Sequence, residues 1–284
     1  MVPQATFRSS TASLFGEGVP LRAFVYHDYQ IAPHDHEFYE LNLILNGRGT
    51  HQISKRVVEV RAGDVFMIPP NVTHMYCNTH RLDVFHILLQ PFFLQGNVAE
   101  SAQVEGFCLL TEVEPFLRLG PSPLNFLHLS QEQLLQIRPD LDLLEQKTPP
   151  QKTDPIAIHV TWKLLYQFSA ELVKQAYTKT SGTAKYESEI LQTLEYIHLH
   201  YNEKITIETL CAESFLSRST FLRSFQAICG CTPIQYLHRY RHQKALELLK
   251  NENVSQTEVA QLCGYYDQSH MKRALRTAHH TDHT

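Results

Sequence analysis

Between residues 22 and 90 the apolar side chains fall in short runs, often alternating with polar ones and separated by turn-forming residues. That pattern predicts strands at Arg22–Tyr29, Phe38–Leu45, Thr50–Ser54, Val57–Val60, Asp64–Ile68, His74–Cys77 and Asp83–Leu89, with turns at Asn46-Gly47 and Ala62-Gly63. Strands this short and this closely spaced suggest a small double-sheet barrel or jelly roll. Between residues 91 and 153 prolines divide the chain into short pieces, and Ser130 followed by Gln133 reads as a capped helix start. From Asp154 to Lys179 the period becomes helical, with Ile158, Trp162, Leu165, Phe168, Leu172 and Val173 on one stripe. A stripe identifies a buried face but not what buries it, so this helix either packs on its own barrel or pairs two subunits.

The small polar stretch at 179–186 reads as a linker, giving domains at 1–178 and 187–284. Beyond it one pattern is written twice, about fifty residues apart. In the first copy a helix ends near Ser214, the chain turns at Phe215-Leu216, and Ser217 caps a second helix with Phe221 and Phe225 on its core side. In the second copy Val259-Ala260 leads to a turn at Gly264-Tyr265, a cap at Asp267, and Met271 and Leu275 as core positions. Between them a helix opens at Pro233, and Ile234 to Lys250 spans ~25 Å at ~1.5 Å per residue. A rigid spacer of that size suits two recognition helices in successive major grooves, ~34 Å apart.

These residues resemble the DNA-binding domain of the AraC family of bacterial regulators, including the spacer signature Gly230-x-Thr232-Pro233-x-x-Tyr236-Leu237-x-x-x-Arg241-x-x-Lys244-Ala245-x-x-Leu248-Leu249. By that resemblance Ser219, Leu222 and Arg223 read bases from the first motif, and Gln268, Ser269, Lys272 and Arg273 from the second. Arginine suits guanine, glutamine suits adenine, and leucine can meet a thymine methyl. Arg218, Arg239, Arg241 and Lys244 are assigned phosphate or structural roles. The chain departs from the family where Met271 and Leu275 replace a phenylalanine pair and where it runs out as Thr277 to Thr284, so the second motif is expected to be under-packed, truncated or weak in DNA affinity.

Within the first domain, His34-x-His36-x-x-x-Glu40 with Gly47, then Gly63, Pro69, Asn71, His74 and Asn78, resembles the two motifs of the cupin superfamily, with Asn71 where glycine is usual. His34, His36, Phe38, Glu40 and Asn42 share parity, so on an extended strand they share a face. In cupin enzymes the His34, His36, Glu40 and His74 positions bind metal; in sensor domains joined to this DNA-binding module a similar pattern lines a pocket for a small polar effector. The expected effector residues are Arg22, His34, His36, Glu40 and His74, with Tyr26 and His86 facing either the lumen or solvent. No resident cofactor is assigned, and a divalent metal at the same four residues stays open.

Composition changes this picture little. Of 284 residues, 25 are Lys or Arg and 29 Asp or Glu, for a formal charge of −4. Even from Glu187 onward basic and acidic residues number 10 and 11, so DNA affinity must rest on local placement and on dimerisation. The six cysteines include no Cys-x-x-Cys pair and suit a reducing compartment. No leader pattern and no apolar run of ~18 residues is present, which predicts a cytoplasmic protein.

The expectation is therefore an α+β chain: a cupin-like barrel with following helices, then an all-α double helix-turn-helix domain. It implies a regulator, not an enzyme, responsive to a small polar effector. The family resemblance adds that the effector is commonly a sugar, that activation is more frequent than repression, and that the partners are double-stranded DNA, RNA polymerase and a second copy of the chain. The alternatives are a metal-dependent cupin enzyme and a constitutive DNA-binding dimer.

Overall fold

The computed structural model describes residues 7–53, 56–95, 104–119, 127–149, 152–178, 186–249 and 254–281. The linker stretch 179–185, Asn251–Asn253 and the last three residues lie outside them. The chain divides into two compact units, Met1–Thr178 and Lys179–Thr284.

The first unit is a mixed eight-stranded sheet: β1 (Phe7–Ser9), β2 (Leu21–Tyr26), β3 (Ile31–His36), β4 (Tyr39–Ile53), β5 (Arg56–Arg61), β6 (Asp64–Ile68), β7 (His74–Leu89) and β8 (Leu127–His128). Two expected pairs of short strands are fused, Phe38–Leu45 with Thr50–Ser54 into β4, and His74–Cys77 with Asp83–Leu89 into β7. β4 and β7 pair antiparallel from Tyr39↔Leu89 to Ile53↔His74, and β2, β3, β5 and β6 hang on one or the other. Asn46-Gly47 is therefore not a hairpin turn. The register shifts between Ile44 and Thr50, where Gly47 has φ 74° and a Cβ would lie 2.0 Å from the Arg81 carbonyl oxygen. This irregularity bends both strands without ending them. Ile44, Ile53, Val60, Phe66, Ile68, Val72, Tyr76, Leu82 and Val84 fill one core cluster.

Short helices α1 (Thr11–Leu14) and α2 (Pro91–Gln95) flank the sheet, and a π-helical turn at Leu109–Val113 runs into α3 (Glu114–Leu119). The capping box at Ser130 and Gln133 opens α4 (Gln131–Lys147), which continues past Pro139. Proline removes the hydrogen bond to the carbonyl of Leu135 four residues earlier, and Leu135 is exposed, so water can take that acceptor. The next helix, α5 (Pro155–Thr178), is capped by Asp154, whose carboxylate accepts from the Ile156 N–H. Its Leu165, Phe168 and Leu172 are buried and its Trp162 stacks on Phe93 at 5.0 Å, so the apolar stripe is used within its own unit.

The second unit contains α6 (Glu187–His200), α7 (Ile207–Glu213), α8 (Arg218–Cys229), α9 (Pro233–Leu248), α10 (Gln256–Leu262) and α11 (Gln268–Thr281). Ser217, Thr232 and Ser255 each cap the following helix by accepting from a backbone N–H three residues on. Phe221 and Phe225 are fully buried, and Phe225 packs edge-on against Tyr236, whose hydroxyl meets His198 Nε2 at 2.7 Å. The expectation of an under-packed second motif is corrected. Met271 is 1% exposed, and with Leu275 it closes a cluster of Ala245, Val259, Ala260, Cys263 and Tyr265. An unbranched thioether can fill the space a ring would take.

Arg241 is structural. Buried on α9, it donates to the backbone carbonyls of Tyr201 (2.6 Å) and Glu203 (2.7 Å). Gly264, at φ 71°, comes so close to this clamp that a Cβ would lie 2.8 Å from the Tyr201 oxygen and 2.9 Å from Arg241 Nη2. Gly264→Ala should therefore lower stability by about 2 kcal/mol, from strain and crowding together; urea unfolding of the full chain measures it. Burial holds the His198 imidazole well below its ordinary 6.5, with Lys244 adding to the shift. An imidazole with a depressed folded pKa stabilises fully above the unfolded value and loses that contribution as pH falls below it. Between about pH 7 and pH 5 the His198→Gln variant should accordingly lose less thermal stability than the parent chain.

Candidate functional site

The interior of the first unit gathers a carboxylate and five imidazoles. His34 and His36 come from β3, Glu40 and His51 from β4, and His74 and His86 from β7; all six are 4% exposed or less. Cross-strand pairing places them, since Asn42 faces His86, His51 faces Tyr76 and Ile53 faces His74.

Each ring next to Glu40 has one nitrogen already committed. His34 Nδ1 lies 3.1 Å from the Ala32 carbonyl, His36 Nδ1 2.7 Å from Phe38 and His74 Nδ1 3.0 Å from Val72. A carbonyl can only accept, so these Nδ1 atoms carry hydrogen and each ring turns its Nε2 inward. His86 Nδ1 donates to Glu40 Oε1 at 2.9 Å. On the other carboxylate oxygen, His36 Nε2 lies 3.2 Å and His74 Nε2 3.9 Å from Oε2. The ligand atoms of His34, Glu40 and His74 fall within 4.8 Å of one another.

Burial alone would raise the Glu40 carboxyl, but its contacts with His36 and His86 outweigh that and hold it well below the usual carboxylate range. Burial pushes His74 down to about 3 against the pull of Glu40, and it lowers His34 and His51 as well. Both polar atoms of Asn42, both ring nitrogens of His51, the Tyr76 hydroxyl and His86 Nε2 have no hydrogen-bond partner among the described residues.

The strand parity that groups His34, His36, Glu40 and Asn42 holds. The structure adds His86, whose ring also packs against Tyr26 and Tyr29, and so faces the interior. Arg22 is not joined to Glu40: its Nη1 donates to the Leu14 carbonyl at 2.8 Å and the guanidinium sits over Phe24. His51 is the residue that sequence parity misses, because the register shift between Ile44 and Thr50 turns the inward positions of β4 from even to odd. Asn71 takes the left-handed conformation, φ 63°, that favours glycine, and asparagine is among the side chains that tolerate it.

The donor set fits a metal of the kind the cupin resemblance implies. Imidazole nitrogens with a carboxylate suit first-row divalent ions, and the backbone carbonyls behind each Nδ1 are the outer partners that orient histidine ligands.

On the second unit, Ser219 and Arg223 of α8 are exposed and Leu222 is half-buried. Arg218 is also exposed but pairs with Glu208 of α7, which ties the two helices of the first motif together. Ser269, Lys272 and Arg273 of α11 are exposed, and Gln268 donates to the Gln256 side chain of α10 at 2.5 Å. Asp267 caps α11 by accepting from the His270 N–H at 2.6 Å. The polar faces of α8 and α11 can thus meet a groove edge and a phosphate backbone. Arg239 is exposed, and half-buried Lys244 lies over the Tyr240 ring.

Residues 21–154 match the family described as AraC-like ligand binding domain, and residues 210–281 match a helix-turn-helix domain. The chain is 29% identical over 240 residues to the uncharacterized HTH-type transcriptional regulator YdeC of Bacillus subtilis, covering 84% of this chain and 79% of that one. It is 24% identical to the HTH-type transcriptional activator RhaS of Citrobacter koseri, over 86% and 82% of the two chains. With RhaR of Cronobacter sakazakii, also an HTH-type transcriptional activator, the identity is 26% over 84% and 80%. Among solved structures, the DNA-binding domain of AdpA in complex with a target DNA is 30% identical, covering 31% of this chain and 80% of that one with a TM-score of 0.30. ToxT from Vibrio cholerae is 9% identical, over 91% and 94%, with a TM-score of 0.37.

These relatives are regulators and not enzymes, and with a ligand-binding domain followed by a helix-turn-helix domain the chain belongs to the AraC family of DNA-binding transcriptional regulators.

Proposed function

We propose that this regulator is switched by a small polar effector bound inside the barrel, among His34, His36, Glu40 and His74, and that it acts as a homodimeric, cytoplasmic activator working through RNA polymerase. The observation that carries the reading is the set of unpartnered polar atoms on Asn42, His51, Tyr76 and His86. Each buried donor or acceptor left unsatisfied costs about 1–3 kcal/mol, so an interior holding this many is complementary to something polar. A polyhydroxylated molecule such as a sugar is one such complement. Activation is supported by the relatives named activators, and no described helix is long and apolar enough to cross a membrane. Since the stripe of α5 is used within its own unit, a dimer forms through other surfaces.

DNA is read by the exposed faces of α8 and α11, with Ser219, Leu222 and Arg223 on the first and Gln268, Ser269, Lys272 and Arg273 on the second. Arg218 positions α8 through Glu208, and on DNA it can exchange that carboxylate for a phosphate. Ligand binding changes operator affinity only by as much as the effector prefers one arrangement of the protein over another.

Arg223→Ala should weaken binding to the specific operator by about 1–3 kcal/mol while leaving non-specific binding almost unchanged. Footprinting and titration on the same DNA check it, and an unchanged affinity would place the reading surface elsewhere. Genomic footprinting with and without a panel of sugars should give a few upstream sites whose occupancy follows one compound. Occupancy indifferent to every small molecule would make the barrel a structural module.

A further inference from the structure

The first residue of each proposed reading helix is tied to the first turn of the helix before it, but by different chemistry. Arg218, which opens α8, pairs with Glu208 of α7. Gln268, which opens α11, donates from Nε2 to Oε1 of Gln256, the first residue of α10, at 2.5 Å. An arginine that exchanges a carboxylate for a phosphate keeps an ionic partner, so the first pair suits the backbone of DNA. Two neutral amides have no charge to set against a phosphate. What they offer is a pattern of donor and acceptor.

A primary amide has one acceptor oxygen and two N–H donors. The terminal torsion of a glutamine is broad and roughly two-fold, so a free amide turns over and shows a base edge either its oxygen or its nitrogen. The Gln256 carbonyl removes that freedom, because an oxygen can accept only from Nε2 and so settles which end of the Gln268 amide is which. One N–H goes to Gln256, and Oε1 and the other N–H stay open. Gln268 is half-buried against its neighbours, while Gln256 is exposed. In the major groove adenine shows an acceptor and a donor side by side, N7 and the N6 amino group, which complement an amide oxygen next to an N–H. Guanine shows two acceptors there and would repel the fixed oxygen.

Resting on the reading of α11 as a base-contacting helix, we infer that Gln256 is a positioning residue for DNA specificity: it takes the Gln268 hydrogen remote from Oε1, so that the remaining donor and acceptor recognise an adenine. Discrimination at this base is thus set from the other helix of the motif, by a side chain that does not reach the base. Holding Gln268 in the free protein also spares part of the rotamer entropy that a long side chain loses on binding.

The test is selection from a randomised duplex library by the full chain, followed by titration of the selected site. The parent should show one position where adenine exceeds every other base by about 10- to 100-fold, and Gln268→Ala should flatten it. Gln256→Met, similar in length but without an acceptor, should reduce that preference to about threefold or less and leave the other positions unchanged. Gln256→Glu, whose carboxylate still accepts from Nε2, should keep the adenine preference while weakening binding to all sequences alike, through its charge. Replacing the adenine by 7-deazaadenine removes N7; it should cost the parent about tenfold and Gln256→Met little. Because Gln256 is exposed, its variants should keep the fold, which thermal unfolding checks.

Adenine preference intact in Gln256→Met would overturn the inference and leave Gln268 as a reader of bases. A uniform loss at all positions in that variant, shared by Gln256→Glu beyond its charge effect, would make the pair a tie between helices and overturn it as well. Preference indifferent to Gln268→Ala would remove Gln268 from the base contact, and a library with no preferred sequence would sink the reading helix itself; either result takes the role of Gln256 with it.

Discussion

The pairing of β4 with β7 is the constraint on which the first unit depends. The two strands run antiparallel from Tyr39↔Leu89 to Ile53↔His74, and they supply four of the six residues of the interior cluster. The register irregularity in their middle does two jobs. It bends the pair so that short strands can attach on both sides, and it rotates β4 by one position, so that Glu40 and His51, which differ in parity, both point inward. A uniform register would have sent His51 outward and removed the stacked wall it makes with Phe66 and Tyr76.

In the second unit the corresponding constraint is Arg241. It sits midway along the spacer helix and binds the carbonyls of Tyr201 and Glu203, just after α6, while Gly264, at the turn of the second motif, packs against the same guanidinium. A single side chain therefore fixes the spacer to the element before the first motif and to the turn of the second. The low net charge of this unit agrees with such use of its basic residues, since one of them is committed to backbone carbonyls and Arg218 to Glu208.

The helices and their caps were legible in the sequence because capping is local. Ser130, Ser217 and Asp267 each meet backbone or side-chain partners within three residues. The parity of His34, His36 and Glu40 was legible for the same reason. What could not be read was non-local: the fusion of strands across Asn46-Gly47, the inward turn of His51, and the parallel attachment of β1 to β3. Pro139 misled because a helix break is avoidable where the orphaned carbonyl belongs to an exposed residue. Met271 and Leu275 misled because the core they fill is shaped by residues far away in the chain, Ala245 and Val259 among them.

In each helix-turn-helix motif one side chain of the proposed reading helix is already held by the helix before it, Arg218 by Glu208 and Gln268 by Gln256. Any DNA segment that draws Arg218 to itself, or turns the Gln268 amide away from Gln256, must first displace an internal partner. A random stretch of duplex offers phosphates everywhere but the right base edges rarely. Each DNA contact of that kind made by these two side chains is therefore worth its own energy less that of the internal pair it replaces.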